Sequence, residues 1–180
     1  MKPPESITIV APVRQASLLR LLLAVSLPLY ALDQLTKWWI RTSIEYEGGR
    51  TVIPGFFNLV FVTNTGAAFS MFSNNNAAFI ALSGFALLTL LLLWKFRVFA
   101  ASAWSRAGFA LLLAGVLGNL TDRLLHGAVI DFLQFDLHVP GANPWPSFNI
   151  ADSCICVAAV CFVLGSLNEM RRAPAATKPS

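Results

Sequence analysis

The chain has 180 residues, of which 56% are hydrophobic and 12% charged, and its mean hydropathy is +0.65. A soluble domain of this size has too little interior to hide so much apolar surface, and a disordered chain would be far more polar. Both classes are excluded, and lipid must solvate the outer faces. The formal charge of +4 does not indicate a nucleic-acid partner, because the basic residues flank apolar runs instead of interleaving with aromatics in one patch.

Four apolar runs follow one another along the chain. The first extends from Leu18 to about Trp38 and is interrupted by Pro28 and Asp33. Arg14 and Arg20 precede it, as they would in a cleaved signal peptide. It continues, however, into Asp33-Gln-Leu-Thr-Lys37-Trp-Trp, a poor cleavage region in which Trp38 and Trp39 suit a membrane interface. Thr51 to Phe61 is rich in Val, Ile and Phe around a Pro54-Gly55 turn, and reads as a short strand or interface-lying segment. The second run, Ala77 to Trp94, carries no charge. The third, Ala107 to Leu124, is uncharged until Asp122. Val129 to Val139 alternates loosely and ends at Pro140, a second short strand or interfacial segment. Pro140, Pro144 and Pro146 mark an irregular link to the fourth run, Ile150 to Leu167, whose one charge is Asp152. Each run approaches the roughly 20 residues that cross a bilayer core. The expected class is therefore an all-α membrane protein of four spans, with short β or interfacial segments on its outer side.

Residues 1–16 form an N-terminal extension, 17–170 the membrane domain, and 171–180 a polar tail with two prolines that is expected to be disordered. Basic residues set the orientation. Lys2, Arg14 and Arg20, then Lys95, Arg97 and Arg106, then Arg171, Arg172 and Lys178 lie on three flanks that belong on one side, which the positive-inside rule makes cytoplasmic. Both termini are then inside, and the loops at 41–76 and 125–149 are outside. Cys154, Cys156 and Cys161 fall within one run and read as small apolar helix side chains. Cys154 and Cys156, two apart on a helix, point to different sides and are not expected to pair. His126 and His138 have no nearby Cys, and no zinc site is expected.

On this topology four aspartates from separate segments, Asp33, Asp122, Asp131 and Asp152, gather at one depth on the outer side. An ionised group within a span costs about 2.5–3.5 kcal/mol at the helix centre, so each requires a reason. Asp33 has Lys37 at i,i+4, and Asp122 adjoins Arg123, so charge compensation is one reading of both. Asp136 reads as a solvated loop acid. Asp131, in Ala128-Val-Ile-Asp-Phe-Leu133, and Asp152, in Phe148-Asn-Ile-Ala-Asp152, have no basic residue within four positions. Close unpaired carboxylates in apolar surroundings share protons, and one can serve as acid while the other serves as base. Residue chemistry alone leaves open an acid–base pair, a proton or cation site of a transporter, and a structural role. Asn149 shares a helix face with Asp152, Asn119 shares one with Arg123, and Asn64-Thr-Gly-Ala-Ala-Phe69 adds a polar, small-residue segment before the second span.

Five segments in order resemble the boxes of the lipoprotein signal peptidase (signal peptidase II) family. They are Asp33-Gln-Leu-Thr-Lys37, Asn64-Thr-Gly-Ala-Ala-Phe69, Gly118-Asn-Leu-Thr-Asp-Arg123, Gly127-Ala-Val-Ile-Asp-Phe132 and Phe148-Asn-Ile-Ala-Asp-Ser153. The resemblance covers about residues 17 to 170. It departs from the family's usual pattern only at Ile130, where a second Val is common. It implies an aspartic endopeptidase with Asp131 and Asp152 as the catalytic dyad. It implies that Asp33, Asn64, Asn119, Arg123 and Asn149 line the substrate site. It also implies a bacterial inner-membrane enzyme that cuts diacylglyceryl-modified prolipoproteins just before the lipidated Cys, near the outer face. No cofactor or metal is expected. The expected partners are lipidated prolipoprotein and membrane lipid, without nucleic acid, for a chain acting as a monomer.

Overall fold

The computed structural model describes residues 19–66, 75–96, 102–141 and 143–172. The expectations for the extension at 1–16, for the tail from 173 onward, for Arg97 and for residues 67–69 of the second box lie outside the described residues. Among the described residues four helices form: α1, Leu19–Ser43; α2, Asn76–Lys95; α3, Ala103–His126; and α4, Ile150–Arg172. All four are long and apolar enough to cross a membrane. The shortest, α2, has 20 residues and so extends about 30 Å, the thickness of the hydrocarbon core. The helices outrun the apolar runs because their polar ends continue the same backbone pattern. α1 extends to Ser43 beyond Trp38, and α4 carries through Arg171 and Arg172, the start of the expected tail.

Pro28 leaves its mark on α1. It has no N–H to continue the regular hydrogen-bond ladder, and the preceding turn, Leu22–Ser26, is a π-helix in which the Leu27 N–H reaches the Leu22 carbonyl. Within this turn the buried Ser26 hydroxyl donates to the Ala110 carbonyl at 2.7 Å and ties α1 to α3. Nearby, Leu22, Leu90, Phe109 and Ala110 form an apolar core between α1, α2 and α3, with Trp94 packed edge-on against Phe109 at 5.8 Å. α2 exposes Leu82, Phe85, Leu88 and Leu91 on its outer side, as a helix bathed in lipid should.

α3 and α4 approach most closely through small residues. A Cβ on Gly115 would lie 2.5 Å from the Ala151 carbonyl oxygen, and one on Gly118 would lie 2.9 Å from the Ala151 Cβ. Without glycine at these places the start of α4 could not lie against α3.

The two segments expected as strands or interfacial pieces form one antiparallel sheet of order β1-β2-β3, comprising β1 (Gly49–Ile53), β2 (Phe57–Asn64) and β3 (Val129–Phe135). Thr51 to Phe61 is thus a hairpin and not a single strand, because Pro54-Gly55 turns the chain at its middle, with the Phe56 N–H on the Ile53 carbonyl at 3.1 Å. Phe135 stacks on Phe57 at 4.8 Å and on Phe148 at 5.8 Å. α3 ends where Gly127 turns left-handed (φ 76°), which delivers the chain directly into β3. The chain order places the sheet at one end of the bundle, with the end of α1, the start of α2, the end of α3 and the start of α4.

Candidate active site

At the sheet end the polar residues are arranged in three layers. The deepest is a sealed ion cluster. Lys37 Nζ lies 2.8 Å from Asp33 Oδ2 and 2.8 Å from Asp122 Oδ2, and all three side chains are at most 2% exposed. The remaining carboxylate capacity meets backbone and amide donors. Asp33 Oδ1 accepts the Ala151 N–H at 2.9 Å, and Asp122 Oδ2 accepts the Ile130 N–H at 3.1 Å. Gln34 Nε2 donates to Asp33 Oδ2 and Asp122 Oδ1, each at 3.1 Å. One buried cluster thereby fastens α1 and α3 to the first residues of α4 and to β3. Buried charges persist only when paired and hydrogen-bonded in this way.

The middle layer is a pair of asparagines. Asn119 Oδ1 accepts from Lys37 Nζ and from Asn149 Nδ2, both at 3.2 Å. Asn149 precedes α4 and is fully buried. Its Oδ1 accepts the Asp152 N–H at 2.9 Å while Asp152 Oδ2 accepts the Asn149 N–H at 3.2 Å. This is a reciprocal cap of the helix start, and it fixes the Asp152 carboxylate at the head of α4. Phe148, bridged to Leu133, secures the same point to β3.

The outer layer faces a cavity of about 640 Å³. Asp131 and Asp152 both line it. Asp131 Oδ1 accepts from Asn149 Nδ2 at 2.8 Å and Oδ2 from Asn64 Nδ2 at 3.1 Å. Asp152 Oδ1 accepts from Asn119 Nδ2 at 2.7 Å. The β2–β3 register shifts between Leu59 and Val62, beside the Asp131 partner position. A bulge there re-aims the strand next to the carboxylate. Burial, and after it the Asp152 carboxylate, push the Asp131 carboxyl up to about 7, while the amides of Asn64 and Asn149 pull it down. A carboxyl near neutrality beside a second carboxylate suits acid–base exchange.

The rest of the cavity wall is largely apolar, with Phe79 from α2, Val116 from α3 and Ile155 from α4. Arg123 also lines it, 5.1 Å from the Phe79 ring, and its buried Nε has no hydrogen-bond partner among the described residues. Of the seven residues singled out from sequence, Asn64, Asn119, Arg123, Asp131 and Asp152 line this cavity. Asp33 and Asn149 do not. They sit behind its wall, because Asp33 is engaged with Lys37 and the start of α4, and Asn149 with both dyad segments.

Sequence reasoning missed Gln34 and undervalued Asp122. The compensation read for Asp122 is real, but its cation is Lys37 and not the adjoining Arg123. The available signal was the common outer depth of Asp122 and Lys37 on two helices. Asn76, whose Nδ2 donates to the Arg123 carbonyl at 3.3 Å, was also missed. Among the described residues no group of three or more His, Cys, Asp or Glu could hold a metal ion. His126 instead meets Arg41 at 2.7 Å, and His138 Nδ1 lies 3.0 Å from the Asp136 carbonyl.

Known proteins resemble this chain over most of its length. Residues 25–168 match the family model described as Signal peptidase (SPase) II. A lipoprotein signal peptidase of Xylella fastidiosa (strain 9a5c) is 40% identical over 156 residues, 84% of this chain and 91% of that protein. One of Desulforapulum autotrophicum is 40% identical over 151 residues, 82% and 91% of the two chains. A solved bacterial membrane enzyme, determined by the in meso method, superposes with a TM-score of 0.74 at 26% identity, covering 91% of this chain and 96% of that one. A family match over residues 25–168, with relatives 40% identical across more than four-fifths of the chain, leads to one conclusion: the chain belongs to the signal peptidase II family.

Proposed function

We propose that this chain is a membrane aspartic endopeptidase that removes the signal peptide from diacylglyceryl-modified prolipoproteins by cutting just before the lipidated Cys. Signal peptide removal from prolipoproteins follows from the family; the aspartic mechanism rests on Asp131 and Asp152, two carboxylates on one cavity tied together through Asn149. Asp131, held near neutrality, carries the proton of the resting pair. Asp152, supplied with N–H donors by Asn119 and Asn149, is the base. Water attacks the scissile carbonyl as Asp152 takes its proton and Asp131 protonates the carbonyl oxygen, giving a gem-diol. Asp152 then returns its proton to the leaving nitrogen as the C–N bond breaks, and Asp131 recovers the other. Asn64 and Arg123 hold the peptide on the cavity side, and the apolar wall of Phe79, Val116 and Ile155 takes hydrocarbon.

Residues 17–170 act as one membrane unit, and the chain works as a monomer in contact with lipid. Arg20, Lys95, Arg106 and Arg171 stand at the bundle end away from the sheet. That distribution supports cytoplasmic termini, and an active site at the outer face of the bacterial inner membrane. The deciding experiment is cleavage of a lipidated prolipoprotein by purified protein, beside the unlipidated precursor. Rapid cleavage of the lipidated form alone is expected, and equal cleavage of both would overturn the lipid requirement.

A further inference from the structure

We propose that Lys37, sealed away from the cavity, is a positioning residue that dictates which way the Asn119 amide points and thereby supplies the hydrogen-bond donor that holds Asp152 in place. This inference rests on the aspartic reading above. An ammonium has three N–H donors and no acceptor. Two of those of Lys37 meet Asp33 and Asp122, and the third meets Asn119 Oδ1 at 3.2 Å. The Asn119 amide has two ends of similar shape and opposite character, and only its oxygen can face an ammonium. Its NH₂ end must therefore face Asp152, to which it donates at 2.7 Å.

The neighbouring amide is set from two directions. Asn149 Oδ1 is taken by the Asp152 N–H, and its NH₂ end meets Asn119 Oδ1, the Ile130 carbonyl and Asp131 Oδ1. Asn149 thus keeps its orientation without Lys37, whereas Asn119 has only Lys37 and Asn149 Nδ2 to hold its oxygen inward. Rotated by half a turn, Asn119 would present an oxygen to the ionised Asp152 oxygen. Two acceptors would then face each other at hydrogen-bond distance unless a proton lay between them. The cation is buried and does not line the cavity. Its effect reaches the dyad through one rotatable amide.

The charged groups facing the site are Asp33 and Lys37 from α1, Asp122 and Arg123 from α3, Asp131 from β3 and Asp152 from α4. Removing Lys37 alone leaves two buried carboxylates with no cation, so the informative variant is Asp33→Asn with Lys37→Met, which keeps the cluster at one net negative charge. An Asn at position 33 can still accept the Ala151 N–H.

The experiment measures kcat and KM against pH on a lipidated prolipoprotein peptide in detergent. The variants are Lys37→Met, Asp33→Asn/Lys37→Met and Asn119→Leu, with folding followed by thermal melting. In the double variant kcat is expected to fall at least roughly tenfold with KM within about twofold. The acidic limb of the kcat profile is expected to move up by about one pH unit, because the ionised dyad has lost a donor. Asn119→Leu leaves the Asp33–Lys37–Asp122 cluster whole and must move the acidic limb the same way. Wild-type limbs in a folded double variant overturn the role of Lys37, and wild-type limbs in Asn119→Leu overturn it even where both lysine variants fail to fold. Asp131→Asn and Asp152→Asn serve as controls. Cleavage surviving in them removes the aspartic reading itself, whereas their loss alongside unshifted limbs in the double variant removes only the lysine's part.

Discussion

Two aspartate pairs stand side by side in this bundle, and they have opposite surroundings. Asp33 and Asp122 share a lysine at 2.8 Å each and do not line the cavity. Among the described residues Asp131 and Asp152 form no ion pair; they accept from the amides of Asn64, Asn119 and Asn149 and face about 640 Å³ of space that Arg123 also lines. Asp131 is buried like Asp33 and Asp122 whereas Asp152 is half-buried, so burial by itself does not mark chemistry. A carboxylate whose charge is met by a sealed cation serves as a clamp between helices. One that is desolvated, outside any ion pair and open to a cavity, as Asp131 is, can exchange a proton near neutral pH. Asn119 joins the two, with its oxygen toward the clamp and its nitrogen toward the dyad.

The contrast is sharpest in turnover. Asp131→Asn and Asp152→Asn should each lower kcat roughly 10⁴-fold in the lipidated prolipoprotein assay while leaving the thermal transition cooperative. The double variant should be scarcely worse than either single one, since the two act as a unit. Appreciable turnover by a folded single variant would break the division between the pairs.

The clamp should show itself in stability. Lys37→Met strands two buried carboxylates and should cost about 3–5 kcal/mol, read as a lower midpoint in detergent melting. Adding Asp33→Asn should recover part of that loss. A smaller effect is expected of Gly118→Ala, whose new Cβ would come 2.6 Å from Asp33 Oδ2 and 2.9 Å from the Ala151 Cβ. Overpacking of this kind costs about 1–3 kcal/mol, and it acts on the contact between Asp33 and the start of α4. An unchanged midpoint in Gly118→Ala would show that the helices separate more easily than the close approach implies.

The pH dependence of stability should separate the pairs more gently. Asp131 is raised from 3.8 to about 7 in the folded protein, so across that interval the native state holds more protons than the unfolded chain. Stability should therefore fall as pH rises from about 4 to 7, and this contribution should level off above 7. Asp131→Asn should remove that part of the slope, as melting midpoints across the range would reveal; an undiminished slope would mean the titrating group lies elsewhere. The smallest effect belongs to Asp136→Asn. Among the described residues its side chain bonds to neither pair, while its backbone N–H meets the Phe56 carbonyl and its carbonyl meets His138 Nδ1, and activity should stay within about twofold. A larger loss would place that acid in the site.

Much of the molecule was legible before any coordinates. The four spans follow from hydropathy, which is a property of consecutive residues and needs no knowledge of neighbours. Pro54-Gly55 marked the turn, although the hairpin around it required the pairing of Gly49 with Val60 to become visible. Asp131 and Asp152 stood out because a lack of nearby cations can be read along the chain. What the sequence could not decide is which charge answers which across helices. Arg123 adjoins Asp122 in sequence but turns to the cavity and the Phe79 ring, while Lys37 from α1 takes Asp122. Asp33 and Asn149, expected on the substrate wall, stand behind it for the same reason. Sequence determines the kinds of side chain and their depth in the membrane through local periodicity. Ion pairing and amide orientation depend on contacts of a few ångströms between distant segments, and those were set only when glycines at 115 and 118 let α3 and α4 close on one another.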